Sequence, residues 1–431
     1  MKTLHPKQEE AKNTLLAAID RYGAALDASD TGVGKTVVGC RVALESRRPV
    51  AVVAPKIVLP SWREELAEQG VEPIFVLSYE KIRGGRTPYL KKKYKRVYEW
   101  DLPQDTLLIF DECHKSSGHA TQNAALHIQA TEQGIATLNL SATAATAPTK
   151  MQALGYALKL HNNKASGNGL PSVFSWWKAH GCWRDAWRKW QPSSAVKHMI
   201  PIHEAVFREG RGVRLTTADL PDAFRGNRIV VERLDFGPSV KKFYANIGFD
   251  VDGLLGPSGS APMEEHFIVE LLRARQLAEL QKVPVMVDMI RDLLEEGKSV
   301  VVFLNFSGAL EHVASQFPDA PRIEGGQAEE VRYGGIRSFQ NNEKRLILCN
   351  TAAGGAGLSL HDVHGDAPRV SLISPSFDPV ALRQVLGRVH RNGMKSSALQ
   401  RILVARDTIE EEVVAALMKK IKRLDTFHGE A

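Results

Sequence analysis

A lysine beside a hydroxyl, two adjacent carboxylates and two arginines three positions apart stand out in this 431-residue chain, because together they suit the chemistry of a triphosphate. Lys35 and Thr36 close the run ASDTGVGKT (28–36), which matches G-x-x-x-x-G-K-[ST] except that Ser29 stands at the first glycine. In such a loop the backbone N–H groups of a tight turn and of the following helix start point at phosphate oxygens. Asp30, Thr31, Gly32, Val33 and Gly34 would supply that backbone. Lys35 would reach the β and γ phosphates, and the Thr36 hydroxyl would hold Mg2+. The competing reading is a glycine-rich turn that happens to contain a lysine; a strand expected before it and a helix after it favour the phosphate loop.

The carboxylates come in LLIFDECHK (107–115). An apolar strand ending in Asp111 and Glu112 sets both at the carboxyl edge of a sheet, Asp111 to hold Mg2+ through its water and Glu112 to polarise an attacking water. Ser141 and Thr143, in LSATAATAP (140–148), are by themselves ordinary turn formers. Arg388 and Arg391, in ALRQVLGRVHRNG (381–393), share a helical face if the helix extends that far. Guanidiniums so paired stabilise transition-state charge on a phosphate; read alone, they are surface arginines.

The elements that must position these groups follow from hydrophobic patterning. Residues 1–160 alternate helical stretches with the runs GAALD (23–27), VAVVA (50–54), IFVLS (74–78), TLLIF (106–110) and ATLNL (136–140). Continuously apolar runs of this length suit parallel strands buried on both faces. Ser61 reads as the cap of a helix, with Glu64 three residues on. The rhythm returns from 286 in SVVVFLNF (299–306), RLILC (345–349), RVSLI (369–373) and QRILVA (400–405). A closing helix follows, with Ile409, Val413, Leu417, Ile421 and Leu424 on one stripe. Residues 161–285 break the pattern and hold five of the seven tryptophans. Trp183, Trp187 and Trp190 there fall at helical spacing, which reads first as a small core and otherwise as a helical protrusion that steers or separates strands.

Composition narrows the class. A hydrophobic fraction of 43% and a charged fraction of 24% are those of a soluble globular protein, and the length suits two or three domains. No apolar run approaches the ~20 residues that cross a bilayer, and the start carries charges where a secretion signal would be apolar, so a cytoplasmic protein is expected. Four scattered cysteines argue against a zinc site or disulfide framework. The net charge of +7 leans toward polyanions. The segment 81–100 concentrates it, with eight cations among three tyrosines and a tryptophan, able to grip phosphates and stack bases or merely to form a solvated hairpin.

In order and spacing these motifs resemble the superfamily 2 helicases and translocases, and within them the Snf2-type ATPases. LHPKQ (4–8) is similar to an adenine-recognition segment, which implies that Gln8 contacts the base. The phosphate loop of this family does not insist on the outer glycine. VVAPKIVLPSWREEL (52–66) and VLSYEKI (76–82) resemble DNA-tracking motifs, DECHK a DExH box with Cys113 at its variable position, and LSAT the third motif. RIEGG (322–326), GGIRSFQ (334–340), CNTAAGGAGLSL (349–360) and QVLGRVHRNGMK (384–395) resemble those of a second lobe, with Met394 where Snf2 proteins carry glutamine.

The resemblance implies an α/β fold of two tandem RecA-like parallel-sheet domains, 1–160 and 286–431, with a helical, Trp-rich insertion (161–285) between them. It implies ATP and Mg2+ in a cleft, with Gly355, Gly357, Arg388 and Arg391 contributed by the second domain. Gln384 and His114 would couple the cleft to nucleic acid through Ser141 and Thr143. Pro55, Lys56, Ser78, Asn350 and Thr351 would touch the backbone of DNA, and so would Lys91, Lys92 and Lys93 of the basic segment. The expected protein is a monomeric, stand-alone DNA helicase or translocase of bacterial or phage type. It would act on duplex, forked or branched DNA with little sequence preference, with no membrane partner. The alternatives are an RNA-dependent ATPase and a non-motor protein that ATP switches.

Overall fold

The apolar runs become the strands of two separate six-stranded sheets. The computed structural model describes residues 3–427 other than 86, 95–96, 119–120, 146, 194–195, 237, 246–264 and 355–357. In chain order the strands are β1 (Ala24–Asp27), β2 (Val50–Ala54), β3 (Pro73–Ser78), β4 (Leu90–Tyr94), β5 (Val97–Trp100), β6 (Leu107–Asp111), β7 (Ala136–Leu140), β8 (Trp183–Arg184), β9 (Trp190–Gln191) and β10 (Gly212–Val213). They continue as β11 (Asn227–Leu234), β12 (Ser299–Leu304), β13 (Arg322–Ile323), β14 (Leu346–Asn350), β15 (Arg369–Ile373) and β16 (Ala398–Ala405). The first large sheet has the order β10-β1-β7-β6-β2-β3 and the second β11-β16-β15-β12-β14-β13, and every pairing in them is parallel.

A strand whose successive side chains point to opposite faces feeds two cores when both faces are covered. In β2, Ala51 and Val53 enter one cluster while Val50, Val52 and Ala54 enter the other; in β6, Leu108 and Phe110 oppose Leu107 and Ile109. The second sheet does the same on β12. Val300, Val302 and Leu304 pack against Met286 and Ile290 of the helix Glu265–Glu295 and Leu310 and Val313 of the helix Ser307–Gln316.

Two bodies result, one of Met1–Leu220 with Arg423–Ala431 and the other of Pro221–Lys422. The segment 161–285, expected as an insertion, is divided between them: β10 completes the edge of the first sheet, and β11 the edge of the second. Gly212 permits the first of these additions. It pairs with Leu26, and a Cβ there would lie 2.8 Å from the Leu26 carbonyl oxygen.

Three local expectations change. Trp183, Trp187 and Trp190 do not share a helical face; the helix Val173–Ala179 stops, Gly181 turns the chain at φ +72°, and the tryptophans fall on the antiparallel hairpin β8–β9. The helix Leu59–Glu68 begins before Ser61, because Pro60 occupies its first turn, and no side chain caps it. In the basic segment, Tyr98 and Trp100 point into the core of the first body rather than outward to stack bases. Of the C-terminal stripe, Val413 and Leu417 are buried, while the Ile421 and Leu424 side chains lie outside the described residues.

The second body also contains a buried ion pair. Lys282 on the helix Glu265–Glu295 meets Glu410, in the first turn of the helix Ile409–Phe427. Glu410 accepts further hydrogen bonds from the Tyr244 hydroxyl (3.0 Å) and the Ala405 N–H (2.9 Å). Among the described residues no helix is long and apolar enough to cross a membrane, and no group of three or more His, Cys, Asp or Glu is placed to hold a metal.

Candidate functional site

The run 28–36 has the backbone of an anion cradle. Gly32 and Gly34 adopt φ +92° and +97°, a left-handed region that favours glycine, and Lys35 opens a twelve-residue helix. The Lys35 ammonium donates to the carbonyls of Ser29 (2.8 Å) and Asp30 (2.9 Å), so a positive charge is already seated in the loop. Burial lowers the pKa of Lys35, against the pull of Asp27, Glu112, Asp111 and Asp30. Asp27, at the end of β1, is buried with its own pKa raised by that burial and countered by Lys35.

Ser29 has a structural reason to replace glycine. Its hydroxyl accepts the Leu215 N–H (2.9 Å), its own N–H donates to Asp27 Oδ1 (2.9 Å), and the Asp30 N–H donates to the Leu215 carbonyl (2.8 Å). Arg214 adds an ion pair to Asp30 (3.1 Å) and a bond to the Ala28 carbonyl (3.2 Å). Gln8 lies against the same loop. Its Nε2 donates to the Val33 carbonyl (2.7 Å) and its Oε1 accepts the His5 N–H (2.9 Å), so these two bonds use one of its two donors and one of its two lone pairs.

The carboxylates come at the end of β6, separated from β1 by β7, and both act electrostatically on Lys35. Asp111 ends β6 with Oδ2 accepting the Trp62 indole N–H (2.8 Å) and Oδ1 accepting the Glu112 N–H (2.9 Å). Its burial and the adjacent Glu112 raise its pKa to about 6, while Trp62 and Lys35 oppose the shift. Glu112 itself occupies the left-handed region at φ +51°, a conformation an L residue adopts only when its surroundings impose it. That turn brings Glu112 Oε2 to 3.1 Å from His114 Nδ1 and within 3.4 Å of the Ser141 hydroxyl, which donates to it. His114 Nδ1 lies 2.9 Å from Ser141 Oγ and 3.3 Å from Thr143 Oγ1, and the Thr143 N–H donates to Ser141 Oγ (3.1 Å). The structure therefore joins Glu112, His114, Ser141 and Thr143 in one cluster.

In the second body the helix Pro379–Leu386 carries Gln384 in its last turn and ends at Gly387, so Arg388 and Arg391 do not share a helical face. Both guanidiniums instead reach the irregular run 358–360. Arg388 donates to the Leu358 carbonyl (3.3 Å) and is only 1% exposed, and Arg391 donates to the Ser359 hydroxyl and to the Gly387 carbonyl (3.2 Å). Arg388 is thus an interior residue of its body, and Arg391 is the partly accessible member of the pair. Met394 is buried. Gly355 and Gly357 lie outside the described residues.

The expected nucleic-acid contacts separate into accessible and occupied groups. Lys56 is exposed beside buried Pro55, whereas Ser78 caps the helix Tyr79–Arg83 by accepting the Lys81 N–H (3.2 Å). Asn350 ends β14 and bonds the Ala352 N–H and the Asn305 carbonyl, and Thr351 is buried. On the β4–β5 hairpin Lys91 pairs with Asp101 (2.7 Å) and Lys93 with Glu99 (2.6 Å), while Lys92 lies exposed on the opposite face.

Trp62, Tyr79, Asp27 and Arg214 escaped the sequence reading. Tyr79 donates its hydroxyl to the Asp111 carbonyl (2.9 Å), so Trp62 and Tyr79 together hold the strand end. Only Asp27 left a signal, an acid closing the strand before the loop. Trp62→Phe keeps an aromatic, though smaller, ring and deletes the donor to Asp111. It is expected to lower stability by about 1.5–3 kcal/mol and to raise the Mg2+ concentration needed for half-maximal ATPase, read by thermal unfolding and Mg2+ titration.

Comparison with known proteins agrees with this arrangement. Residues 281–393 match the helicase conserved C-terminal domain. A protein of Acanthamoeba polyphaga mimivirus, provisionally named an ATP-dependent RNA helicase, is 29% identical over 99% of this chain and 83% of its own length. The chromatin remodeling factor mit1 of Schizosaccharomyces pombe is 30% identical over 31% of the chain, and an ISWI chromatin-remodeling complex ATPase of Saccharomyces cerevisiae 29% over 33%. The chain spans only 10% and 13% of those two proteins. With a parallel sheet, the loop 28–36 and an acidic strand end in one body and a match to the helicase conserved C-terminal domain in the other, the chain is similar to superfamily 2 helicases and translocases of the Snf2 type.

Proposed function

We propose that the chain is a DNA-stimulated ATPase that uses hydrolysis to move along or remodel duplex or branched DNA. The observation that carries the reading is the contact of Glu112 with His114 and Ser141 beside a phosphate loop whose lysine is already in place. In this reading the amides of 30–34 and the helix start at Lys35 receive the phosphates, and Lys35 exchanges its carbonyl partners for phosphate oxygens. Thr36 and Asp111 are hard oxygen donors of the kind Mg2+ takes, and the ion when bound neutralises charge on the β and γ phosphates. Glu112 orients a water and accepts its proton, while Gln8 offers its remaining hydrogen-bonding capacity to the base. Arg391 supplies the guanidinium of the second lobe, and Arg388 braces the segment that carries it.

His114, Ser141 and Thr143 respond to the state of Glu112, since all three touch it or one another. That makes the cluster the route by which hydrolysis changes the grip on nucleic acid. Exposed Lys56 and the sheet edge at Asn350 are the backbone contacts in this reading, with the salt dependence that phosphate contacts impose. A second reading, an RNA-dependent ATPase, draws on the name of the viral relative, which aligns over nearly the whole chain. The remodelling relatives, which align over about a third of it, favour DNA. ATPase rates with blunt duplex, forked DNA, single-stranded DNA and structured RNA separate the two. Stimulation by duplex or forked DNA well above that by RNA is the expected result, and stimulation by RNA alone reverses the assignment.

A further inference from the structure

The hairpin β8–β9 does something no helical core would do: it holds two tryptophans out in water. Trp187 at its tip is 79% exposed and Trp183 57% exposed. Exposed indoles of this size on one small element mark a binding surface more often than a packing residue.

The hairpin is built to keep them there. Trp190 lies beneath, stacked parallel on Phe174 at 5.9 Å and edge-on to fully buried Trp177 at 5.5 Å, which anchors the hairpin on the core of the first body. Arg184 covers the Trp190 ring at 5.0 Å. Asp185 fixes the turn: its Oδ1 accepts the N–H groups of Trp187 (2.9 Å) and Lys189 (2.8 Å), and its Oδ2 accepts Gln191 Nε2 (2.6 Å). Arg188 completes the turn in the left-handed region at φ +59°. The tip is therefore a fixed presentation of Trp187.

Its charge says what it meets. Arg184, Arg188 and Lys189 are exposed around the indoles, and the one acid of the hairpin, Asp185, has both oxygens engaged by the turn. Flat π surfaces interleaved with cations match an unpaired polynucleotide, whose bases stack on aromatic rings while its phosphates meet lysine and arginine. Paired bases inside a duplex do not offer that face.

We propose that the Trp183–Gln191 hairpin is a single-strand platform, with Trp187 and Trp183 stacking unpaired bases and Arg184, Arg188 and Lys189 holding the adjoining phosphates. The proposal rests on the reading of the chain as a nucleic-acid motor but is tested apart from it, by binding without ATP.

The full-length chain is compared with Trp183→Ala/Trp187→Ala and Trp183→Phe/Trp187→Phe variants, by anisotropy of a labelled single-stranded oligonucleotide and of its blunt duplex. Both indoles are exposed, so circular dichroism and the melting temperature should not move. The alanine variant is expected to lose about tenfold or more in single-strand affinity, with duplex affinity and the salt slope unchanged because no cation is removed. The phenylalanine variant should recover most of the loss. Unchanged single-strand affinity overturns the platform, as does a loss shared equally by the duplex. Loss of a dimer, or of binding to anionic vesicles, with oligonucleotide affinity intact reassigns the surface to a second copy or a membrane and also overturns it. Failure of the motor reading would show separately, as ATPase that no nucleic acid stimulates.

Discussion

Glu112→Gln protein is expected to bind ATP as the parent does and to hydrolyse it at least about a hundredfold more slowly. The substitution keeps the size of the side chain and its hydrogen-bonding reach toward His114 Nδ1 at 3.1 Å and the Ser141 hydroxyl at 3.4 Å. What it removes is the capacity to take a proton from water. Binding of a fluorescent nucleotide, set beside phosphate release with and without DNA, separates the two effects. A rate within a few-fold of the parent would remove the general-base role from Glu112. A loss of nucleotide binding in step with the rate would make it a structural residue of the loop instead.

The second large effect concerns stability and is independent of function. Glu410→Ala is expected to destabilise the second body by about 3–5 kcal/mol, since it strands the buried Lys282 ammonium. It also leaves the Tyr244 hydroxyl and the Ala405 N–H without the acceptor they now share. Replacing both members, Lys282→Met with Glu410→Leu, should recover much of the loss, because removing one partner of such a pair costs more than removing both. Denaturant unfolding followed by far-UV circular dichroism reads both variants. A shift under about 1 kcal/mol for the single substitution would show that water reaches the pair.

The large sheets were legible because parallel strands covered on both faces are largely continuous apolar runs, and β2, β6 and β12 are plain examples. The edge strands β10 and β11 were not. β10 is two residues long, and β11 alternates exposed with half-buried positions, so neither announces a buried strand. The helical spacing of Trp183, Trp187 and Trp190 misled because the same residues satisfy a hairpin once Asp185 makes the turn. Lys91 and Lys93 alternate with Tyr98 and Trp100 across the β4–β5 pair, so one face is ionic and the other enters the core; read as a linear cluster, the segment hid that division.

At the phosphate loop, the lysine, hydroxyl and carboxylates were legible from type and spacing. Their supports were not, because Trp62 and Tyr79 lie in runs that resemble DNA-tracking motifs rather than a phosphate site, and Arg214 is distant in sequence and carries no motif. The arginine pair was legible by type, but the stop at Gly387 changed its geometry.

The bond between Ser29 and Leu215 has a mechanical meaning. Only the short run Thr216–Leu220 separates that bond from Pro221, where the second body begins, and the run is stiffened by Asp219, which accepts from both the N–H and the hydroxyl of Thr216. The loop 28–36 is thus tied, through five residues with their own internal hydrogen bonds, to the point in the chain where the second body begins. A fragment cut at residue 160 would lack that tie altogether.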